Sequence, residues 1–159
     1  MATNAIDVQK LNQRFGTFRA IQDVSFVVPE GEIFGFLGHN GAGKTTTIHM
    51  LTTLAQPTSG TALVAGHDIV SDPMGVRREI GYVPENVRLY DTLTTVENLT
   101  FLARLSGVQD IPDRVAETLD FLSIRDLGDR RVGEFSKGMR QRVGLAQAIL
   151  HRPKVLFLD

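Results

Sequence analysis

The 159-residue sequence predicts an α/β domain in which short apolar strands alternate with helices. Apolar runs without helical spacing, such as Val24–Val28 and Val155–Leu158, are typical of strands. In the middle of the chain, apolar residues instead recur every three or four positions, which is the period of a helix. Strands that alternate with helices favour a largely parallel sheet, and the run of helices indicates a helical lobe inserted into that sheet core.

Composition excludes several classes of protein. With 42% hydrophobic residues and a net charge of −1, the chain is long and apolar enough to bury a core and is not disordered. The absence of cysteine excludes a disulfide scaffold and a thiolate metal site. Residues 125–159 carry eight basic and four acidic groups, a pattern that fits either solvated helix faces or an anion-binding surface.

The first half of the chain is predicted to be rich in strands, with Pro29–Gly31 forming a turn. Glu32–Leu37 is predicted to be a buried strand, because it is short, apolar and without helical spacing. A glycine-rich loop follows it. The predicted elements are, in order, the strands Ile6–Leu11, Val24–Val28 and Glu32–Leu37, the helix Lys44–Thr53, and the strands Thr61–Ala65 and Ile80–Val83.

The second half contains three predicted helices and a final strand. Thr94–Glu97 fits a capping box at the start of the first helix, and Ser136 is a suitable N-cap for the third. Pro153 is expected to end that third helix. The apolar positions that predict these elements are Val96, Leu99 and Leu102; Val115, Leu119 and Leu122; Met139, Val143, Ala146 and Leu150 within Lys137–His151; and the strand Val155–Leu158.

The segment Gly38–Thr45 matches the phosphate-loop pattern G-x-x-x-x-G-K-[ST], between a predicted strand and a predicted helix. Its glycines allow the backbone to curl so that successive N–H groups face an anion, and the following helix adds its positive end. Lys44 is placed to contact the β- and γ-phosphates of a nucleotide. The Thr45 hydroxyl is placed to bind Mg²⁺.

Asp159 follows four apolar residues of the last predicted strand. Taken alone, such a residue fits a solvated turn. In a chain that also has a phosphate loop, a carboxylate at the end of a strand is placed to hold Mg²⁺, usually through water.

Further motifs point to one family. The segment Phe135–Arg142 resembles the Leu-Ser-Gly-Gly-Gln signature of ATP-binding cassette (ABC) ATPases, with Ser136 and Gly138 on its serine and second glycine. Ile80–Pro84 resembles the approach to that family's Q-loop, and Phe15 lies where the family has an aromatic residue that stacks on adenine. Because these motifs occur in the family's order along almost the whole chain, the sequence is identified as a member of the ABC ATPases.

The resemblance implies a P-loop NTPase fold with a RecA-like core, an N-terminal antiparallel β subdomain and an inserted helical subdomain. It places residues 1–84 and 152–159 in the ATP-binding core, and residues 85–151 in the Q-loop, helical subdomain and signature helix. It also implies that the domain is incomplete at its C-terminal end. Natural domains rarely stop on the last residue of a strand, so we expect the chain to be a piece cut after Asp159.

The resemblance also implies which residues bind ATP and Mg²⁺. Phe15 is expected to stack on adenine, with Phe18 as the competing ring. Catalytic roles are implied for Lys44, Glu85 and Asp159, and metal ligation for Thr45, Glu85 and Asp159. The residues implied to contact nucleotide are Phe15, Gly38, His39, Asn40, Gly41, Ala42, Gly43, Lys44, Thr45 and Thr46, with Ser136, Lys137 and Gly138 covering the nucleotide held by a paired domain.

Two departures from the family pattern are informative. Glu85 replaces the Q-loop glutamine, and the signature has Lys137 and Met139 in place of its first glycine and its glutamine. Both departures are similar to the branch that serves multidrug and sodium exporters. The family's general-base glutamate directly follows the position of Asp159, and its switch histidine comes later. A polypeptide of residues 1–159 is therefore expected to bind nucleotide and hydrolyse it poorly.

The sequence thus predicts an ATP-binding subunit that, in the complete domain, hydrolyses MgATP to drive export. Its expected partners are a second nucleotide-binding domain, paired head to tail, and a separate transmembrane permease, but no nucleic acid. Its expected place is the cytoplasmic face of the cell membrane. Two alternatives stay open, a non-catalytic nucleotide-binding fragment and an ABC ATPase without a transport role.

Overall fold

A computed structural model describes residues 3–159, which form two compact units, a first that ends at Ile80 and a second that runs from Gly81 to Asp159. Each unit has its own sheet and its own helices. The division into an ATP-binding core (1–84 and 152–159) and an inserted segment (85–151) stays a prediction.

The first unit is built on an antiparallel sheet of four strands, which are, from one edge to the other, β2 (Phe18–Pro29), β1 (Asn4–Phe15), β3 (Ser59–Val64) and β4 (His67–Asp68). This is the antiparallel subdomain that the family resemblance implied. The largely parallel sheet expected from the alternation of elements does not describe this unit. Here β1 turns directly into β2 and β3 into β4, which gives antiparallel pairs, while residues 30–58, which include α1 (Lys44–Leu51), separate β2 from β3. Its elements are β1 (Asn4–Phe15), β2 (Phe18–Pro29), α1 (Lys44–Leu51), β3 (Ser59–Val64), β4 (His67–Asp68) and α2 (Pro73–Glu79).

The core of this unit follows from the two-residue period of its strands. Ile6 and Val8 are both buried, and they pair with Val64 and Ala62 of β3, which are also buried. On α1, buried side chains include Leu51, which is fully inaccessible. The sheet and the helix therefore each contribute one apolar face to the interior.

The predicted buried strand Glu32–Leu37 is wrong. The segment has no regular secondary structure, and the side chains of Ile33 and Leu37 are 100% and 96% exposed. An apolar run becomes a strand only when a neighbouring backbone supplies hydrogen-bond partners, and within residues 3–159 no strand pairs with this segment. Its aromatic rings instead contact β2, where Phe34 stacks on Phe26 with ring centroids 5.0 Å apart.

The helices of the first unit differ modestly from expectation. Helix α1 begins at Lys44 as predicted but ends at Leu51 instead of Thr53, because Thr53 adopts the left-handed conformation (φ 62°). Helix α2 was not predicted. Its start is fixed by Asp72, whose side chain accepts a hydrogen bond from the N–H of Gly75, and by Pro73 in its first turn.

The second unit pairs the strand β5 (Ile80–Val83) with the strand β6 (Val155–Leu158), and it contains three α-helices and two short 3-10 helices. All three predicted helices are present, although the third ends at Ile149 instead of His151. The helical core includes the fully buried Leu99 and Val143. The predicted final strand is confirmed, but only Phe157 is buried in it, whereas Leu158 is 63% exposed. The elements are β5 (Ile80–Val83), α3 (Thr95–Leu105), α4 (Ile111–Phe121), α5 (Lys137–Ile149) and β6 (Val155–Leu158).

The predicted helix starts are present as hydrogen bonds. The Thr94 hydroxyl accepts from the N–H of Glu97 (3.1 Å), and the Glu97 carboxylate accepts from the N–H of Thr94 (2.8 Å), which completes the capping box of α3. Ser136 caps α5 in the predicted way. Among the helices of residues 3–159, none has both the length and the hydropathy that a bilayer span requires.

Candidate functional site

The glycine-rich loop before α1 turns through two residues with positive φ. Gly41 has φ +84° and Gly43 has φ +86°, a conformation that costs other residues about 1–2 kcal/mol. At Gly43 a side chain would also collide with β2, because an added Cβ would lie 2.9 Å from the carbonyl oxygen of Ala20. The two glycines are therefore needed for the backbone path that leads into the helix.

Lys44 turns its ammonium group back onto this loop. Its Nζ donates hydrogen bonds to the carbonyl oxygens of Gly38 (2.6 Å) and His39 (2.8 Å). Gly38 leaves space beside that ammonium, since an added Cβ there would lie 3.1 Å from the Cβ of Ala42 and 4.0 Å from Nζ. The loop backbone thus holds the positively charged ammonium group of Lys44 in place.

Helix α1 adds its positive end to the same place. It begins at Lys44 with Gly43 as N-cap, so no side chain satisfies its first N–H groups at the cap, and its first turn contains no acidic residue. Behind the loop, the Thr47 hydroxyl donates to the carbonyl oxygen of Gly43 (2.9 Å). The N–H of Ala42 donates to the carbonyl oxygen of His39 (3.1 Å). This part of the first unit fits an anionic phosphate chain.

Phe15 lies at the end of β1, next to the turn into β2, where it pairs with Phe18. The two side chains are 55% and 64% exposed. A core role for Phe15 is therefore excluded. Either ring is free to stack on a flat ligand, so the choice between them stays open.

In the second unit, Asp159 follows β6 and is tied to β5. Its backbone N–H donates to the carbonyl oxygen of Val83 (3.0 Å), and its Oδ2 accepts a hydrogen bond from the Tyr82 hydroxyl (3.3 Å). Burial, together with the nearby Asp159 carboxylate, raises the pKa of Tyr82 above its usual value. Tyr82 therefore stays a hydrogen-bond donor to this carboxylate.

Glu85 lies in the same unit, just after β5, with an exposed side chain. Its backbone carbonyl oxygen accepts a hydrogen bond from Nε2 of Gln141 on α5 (2.8 Å). A 290 Å³ pocket lies between residues 85–87 on one side and Phe135, Lys137, Arg140 and Gln141 on the other. Glu85 and the start of α5 therefore share one surface.

The start of α5 exposes Ser136, Lys137 and Gly138 of the predicted signature, whereas Phe135 is buried. The Ser136 hydroxyl accepts a hydrogen bond from the N–H of Met139 (3.3 Å). Lys137 and Gly138 are exposed, and an added Cβ on Gly138 would meet no atom within 4 Å. This helix end is open to a ligand or to another protein.

The predicted site residues are thus divided between the units. The first unit holds Phe15 and the whole loop 38–46, and the second holds Glu85, Asp159 and residues 136–138. Sequence reasoning did not single out Tyr82 or Gln141 as partners of these residues. The position of Tyr82, one residue before the end of β5, was a usable signal for a contact beside β6, but nothing in the sequence pairs Gln141 with Glu85.

A phosphate loop at the start of a helix, in a chain of strands and helices, defines an α/β protein of the P-loop nucleoside-triphosphate-binding class. The family model described as ABC transporter matches residues 21–159. The chain belongs to the ABC transporter family, in the branch that resembles multidrug and sodium exporters.

Known proteins of this family are similar over nearly the whole chain. The doxorubicin resistance ATP-binding protein DrrA of Mycobacterium tuberculosis is 44% identical over 146 residues, which are 91% of this chain and 44% of that protein. The daunorubicin/doxorubicin resistance ATP-binding protein DrrA of Streptomyces peucetius is 41% identical over 159 residues, which are 99% of this chain and 48% of that protein. A solved ATP-binding subunit of an ABC transporter superimposes with a TM-score of 0.86 at 31% identity, covering 98% of this chain and 65% of that one. The chain spans about half the length of the curated relatives it matches.

Proposed function

We propose that this chain binds MgATP as the nucleotide-binding part of an ABC exporter. The observation that carries the proposal is the loop 38–43, which presents the Lys44 ammonium and the uncapped start of α1 on one surface of the first unit. Backbone N–H groups and one lysine at a helix start are the elements that bind a triphosphate. Family membership supports ATP as the nucleotide.

Each loop residue is proposed to act through a simple contact. Lys44 neutralises charge on the β- and γ-phosphates, and the N–H groups of residue 41 and residues 43–46 donate to phosphate oxygens. Phe15, or its neighbour Phe18, stacks on adenine, a contact that is worth about 1–3 kcal/mol per base. The remaining loop residues, Gly38, His39, Asn40 and Ala42, shape the backbone.

Bound Mg²⁺ supplies charge neutralisation at the phosphates, and it is usually held by one or two carboxylates together with phosphate oxygens and water. The hydroxyl of Thr45 and the carboxylates of Glu85 and Asp159 are the proposed protein ligands, directly or through water. The donor set fits a hard cation because all three supply oxygen. The Tyr82 hydroxyl, which donates a hydrogen bond to Oδ2 of Asp159, is well placed to orient that carboxylate.

The open start of α5 is proposed to meet a second nucleotide-binding domain. Ser136, Lys137 and Gly138 lie at the positive end of this helix, with no acidic residue in its first turn. They are proposed to cover the γ-phosphate of a nucleotide held by the paired domain, which makes ATP part of the interface between the two domains.

Hydrolysis and export belong to the complete protein. We propose that Lys44, Glu85 and Asp159 take part in hydrolysis there. A transmembrane permease is proposed to dock on the Q-loop region of residues 85–93 and the helices after it, at the cytoplasmic face of the cell membrane. The names of the DrrA proteins, which refer to drug resistance, support export as the direction of transport. A polypeptide of residues 1–159 is expected to bind ATP but to hydrolyse it slowly.

Nucleotide affinity tests this proposal. A fluorescent ATP analogue is titrated with Mg²⁺ into the wild-type chain, into Lys44→Ala and into the control Lys10→Ala, which removes a lysine of the same unit outside the loop. Because a hydrogen bond to a charged group is worth about 1.5–3 kcal/mol, Lys44→Ala is expected to weaken binding by about ten- to a hundredfold. Equal affinity for all three chains would contradict the phosphate assignment.

A further inference from the structure

The segment Pro84–Thr94, between β5 and α3, has no regular secondary structure. Such a segment must find partners for its backbone outside a helix or a sheet. Several of the groups that fix it come from α5, the helix that begins at Lys137 and is capped by Ser136. The segment and the helix start are therefore held together within the second unit.

Three contacts attach the segment to α5. Gln141 Nε2 donates to the carbonyl oxygen of Glu85 (2.8 Å), and Arg140 Nη2 lies 2.8 Å from Oδ1 of Asp91. Between these two points, Val87 packs so closely on α5 that an added Cβ at residue 144 would lie 2.6 Å from its Cγ2. Positions 140, 141 and 144 lie on one side of a helix, so the segment is held along a single face.

These contacts fix the backbone of Glu85 but leave its side chain open. The carboxylate is exposed, and within residues 3–159 it makes no hydrogen bond or ion pair. The carbonyl oxygen of the same residue is bound by Gln141. A residue that is fixed at its backbone and open at its carboxylate is suited to present that carboxylate to a cation.

We propose that Gln141 is a positioning residue, which holds Glu85 so that its carboxylate meets the Mg²⁺ of a bound nucleotide. The ion pair of Arg140 with Asp91 holds the far end of the segment in the same way. The proposal rests on the proposed function, since that function assigns Glu85 to Mg²⁺. It goes beyond that function by giving a role to residues of α5 that touch neither nucleotide nor metal.

A matched pair of variants separates positioning from a general effect on the helix. Gln141→Leu removes the hydrogen bond to Glu85, and Gln147→Leu makes the same change at a position of α5 where the side chain has no hydrogen bond within residues 3–159. Because the chain has no cysteine, a single cysteine introduced by Asn86→Cys carries a nitroxide next to Glu85. Its spectrum reports the mobility of the segment without nucleotide.

The same chains, without the label, are titrated with ATP in the presence and absence of Mg²⁺. Gln141→Leu is expected to increase nitroxide mobility. It is also expected to reduce the Mg²⁺ gain, which is the ratio of the ATP affinities with and without Mg²⁺, by about fivefold, because one ordinary hydrogen bond is lost. Gln147→Leu is expected to change neither. Glu85→Gln is expected to reduce the Mg²⁺ gain while the nitroxide stays immobile, because it changes the carboxylate and not the backbone contact.

An exchange of the two charges tests the ion pair between Arg140 and Asp91. Arg140→Asp alone is expected to mobilise the nitroxide, and adding Asp91→Arg to it is expected to restore the wild-type spectrum. Equal spectra for Gln141→Leu and Gln147→Leu would overturn the proposal whether or not ATP binds, and so would an unchanged Mg²⁺ gain in Gln141→Leu. A wild-type chain that does not bind ATP would refute the proposed function, while the nitroxide comparison would still decide whether Gln141 fixes the segment.

Discussion

Replacing Gly43 by alanine perturbs the phosphate loop in two ways that the structure separates. The first is backbone strain, because φ is +86° and an L-residue pays about 1–2 kcal/mol for a left-handed conformation. The second is a collision, because the new Cβ would lie 2.9 Å from the carbonyl oxygen of Ala20 and 3.0 Å from Cγ1 of Ile21. Overpacking of this kind costs a further 1–3 kcal/mol or so.

Gly41→Ala is the matched control. Its φ is +84°, but an added Cβ would meet nothing within 4 Å, so only the strain applies. We expect Gly41→Ala to lower the free energy of unfolding by about 1–2 kcal/mol and Gly43→Ala by about 2–5 kcal/mol. Urea denaturation followed by circular dichroism measures both values. Equal losses, or a smaller loss for Gly43→Ala, would refute the described path of the loop against β2.

Three further changes test the packing and charge of the two units. Asn98→Ala removes a fully buried amide that accepts from the N–H of Tyr90 (2.8 Å) and donates to three carbonyl oxygens, so thermal unfolding should reveal a loss of about 2–4 kcal/mol. Thr95→Val removes a buried hydroxyl that has no partner within residues 3–159, and it should raise the free energy of unfolding by about 1 kcal/mol, whereas a loss would show that the hydroxyl is satisfied. The Thr61 hydroxyl, together with nearby N–H groups, lowers the pKa of Asp68 to about 2. The ionised Asp68 therefore stabilises the fold above pH 4, and this stabilisation is lost as the pH falls toward 2. The free energy of unfolding of the wild type should exceed that of Asp68→Asn by about 1 kcal/mol at neutral pH, after allowance for solvent screening. Urea titrations in acid should show a smaller difference, and a difference that does not change with pH would contradict the role given to the ionised Asp68.

Local signals in the sequence predicted the parts of the structure that are fixed by neighbouring residues. The capping box at Thr94 and the N-cap at Ser136 require only side chains three residues apart, and both form as expected. The phosphate loop is also local, because its glycines, lysine and helix start lie within a few residues. The turn chemistry and the start of α1 at Lys44 follow from the sequence alone.

The rest depended on partners that lie far away along the chain. Glu32–Leu37 has the composition of a strand, yet a strand needs a paired backbone, which composition does not report. The contact between Gln141 and Glu85 joins residues 56 positions apart, and no periodicity connects them. Helix α2, which starts beside Asp72 and Pro73, had a readable signal, but its seven residues are too few to show a helical period.

The most direct test of the account is a map of backbone amide chemical shifts in the 159-residue chain, recorded while MgATP is added. If the loop binds the triphosphate, the largest changes occur at residues 41–46, because N–H groups in this range, other than that of Ala42, donate hydrogen bonds to the phosphate oxygens. Changes confined to other residues, or no change in this loop at millimolar MgATP, would contradict nucleotide binding at the start of α1.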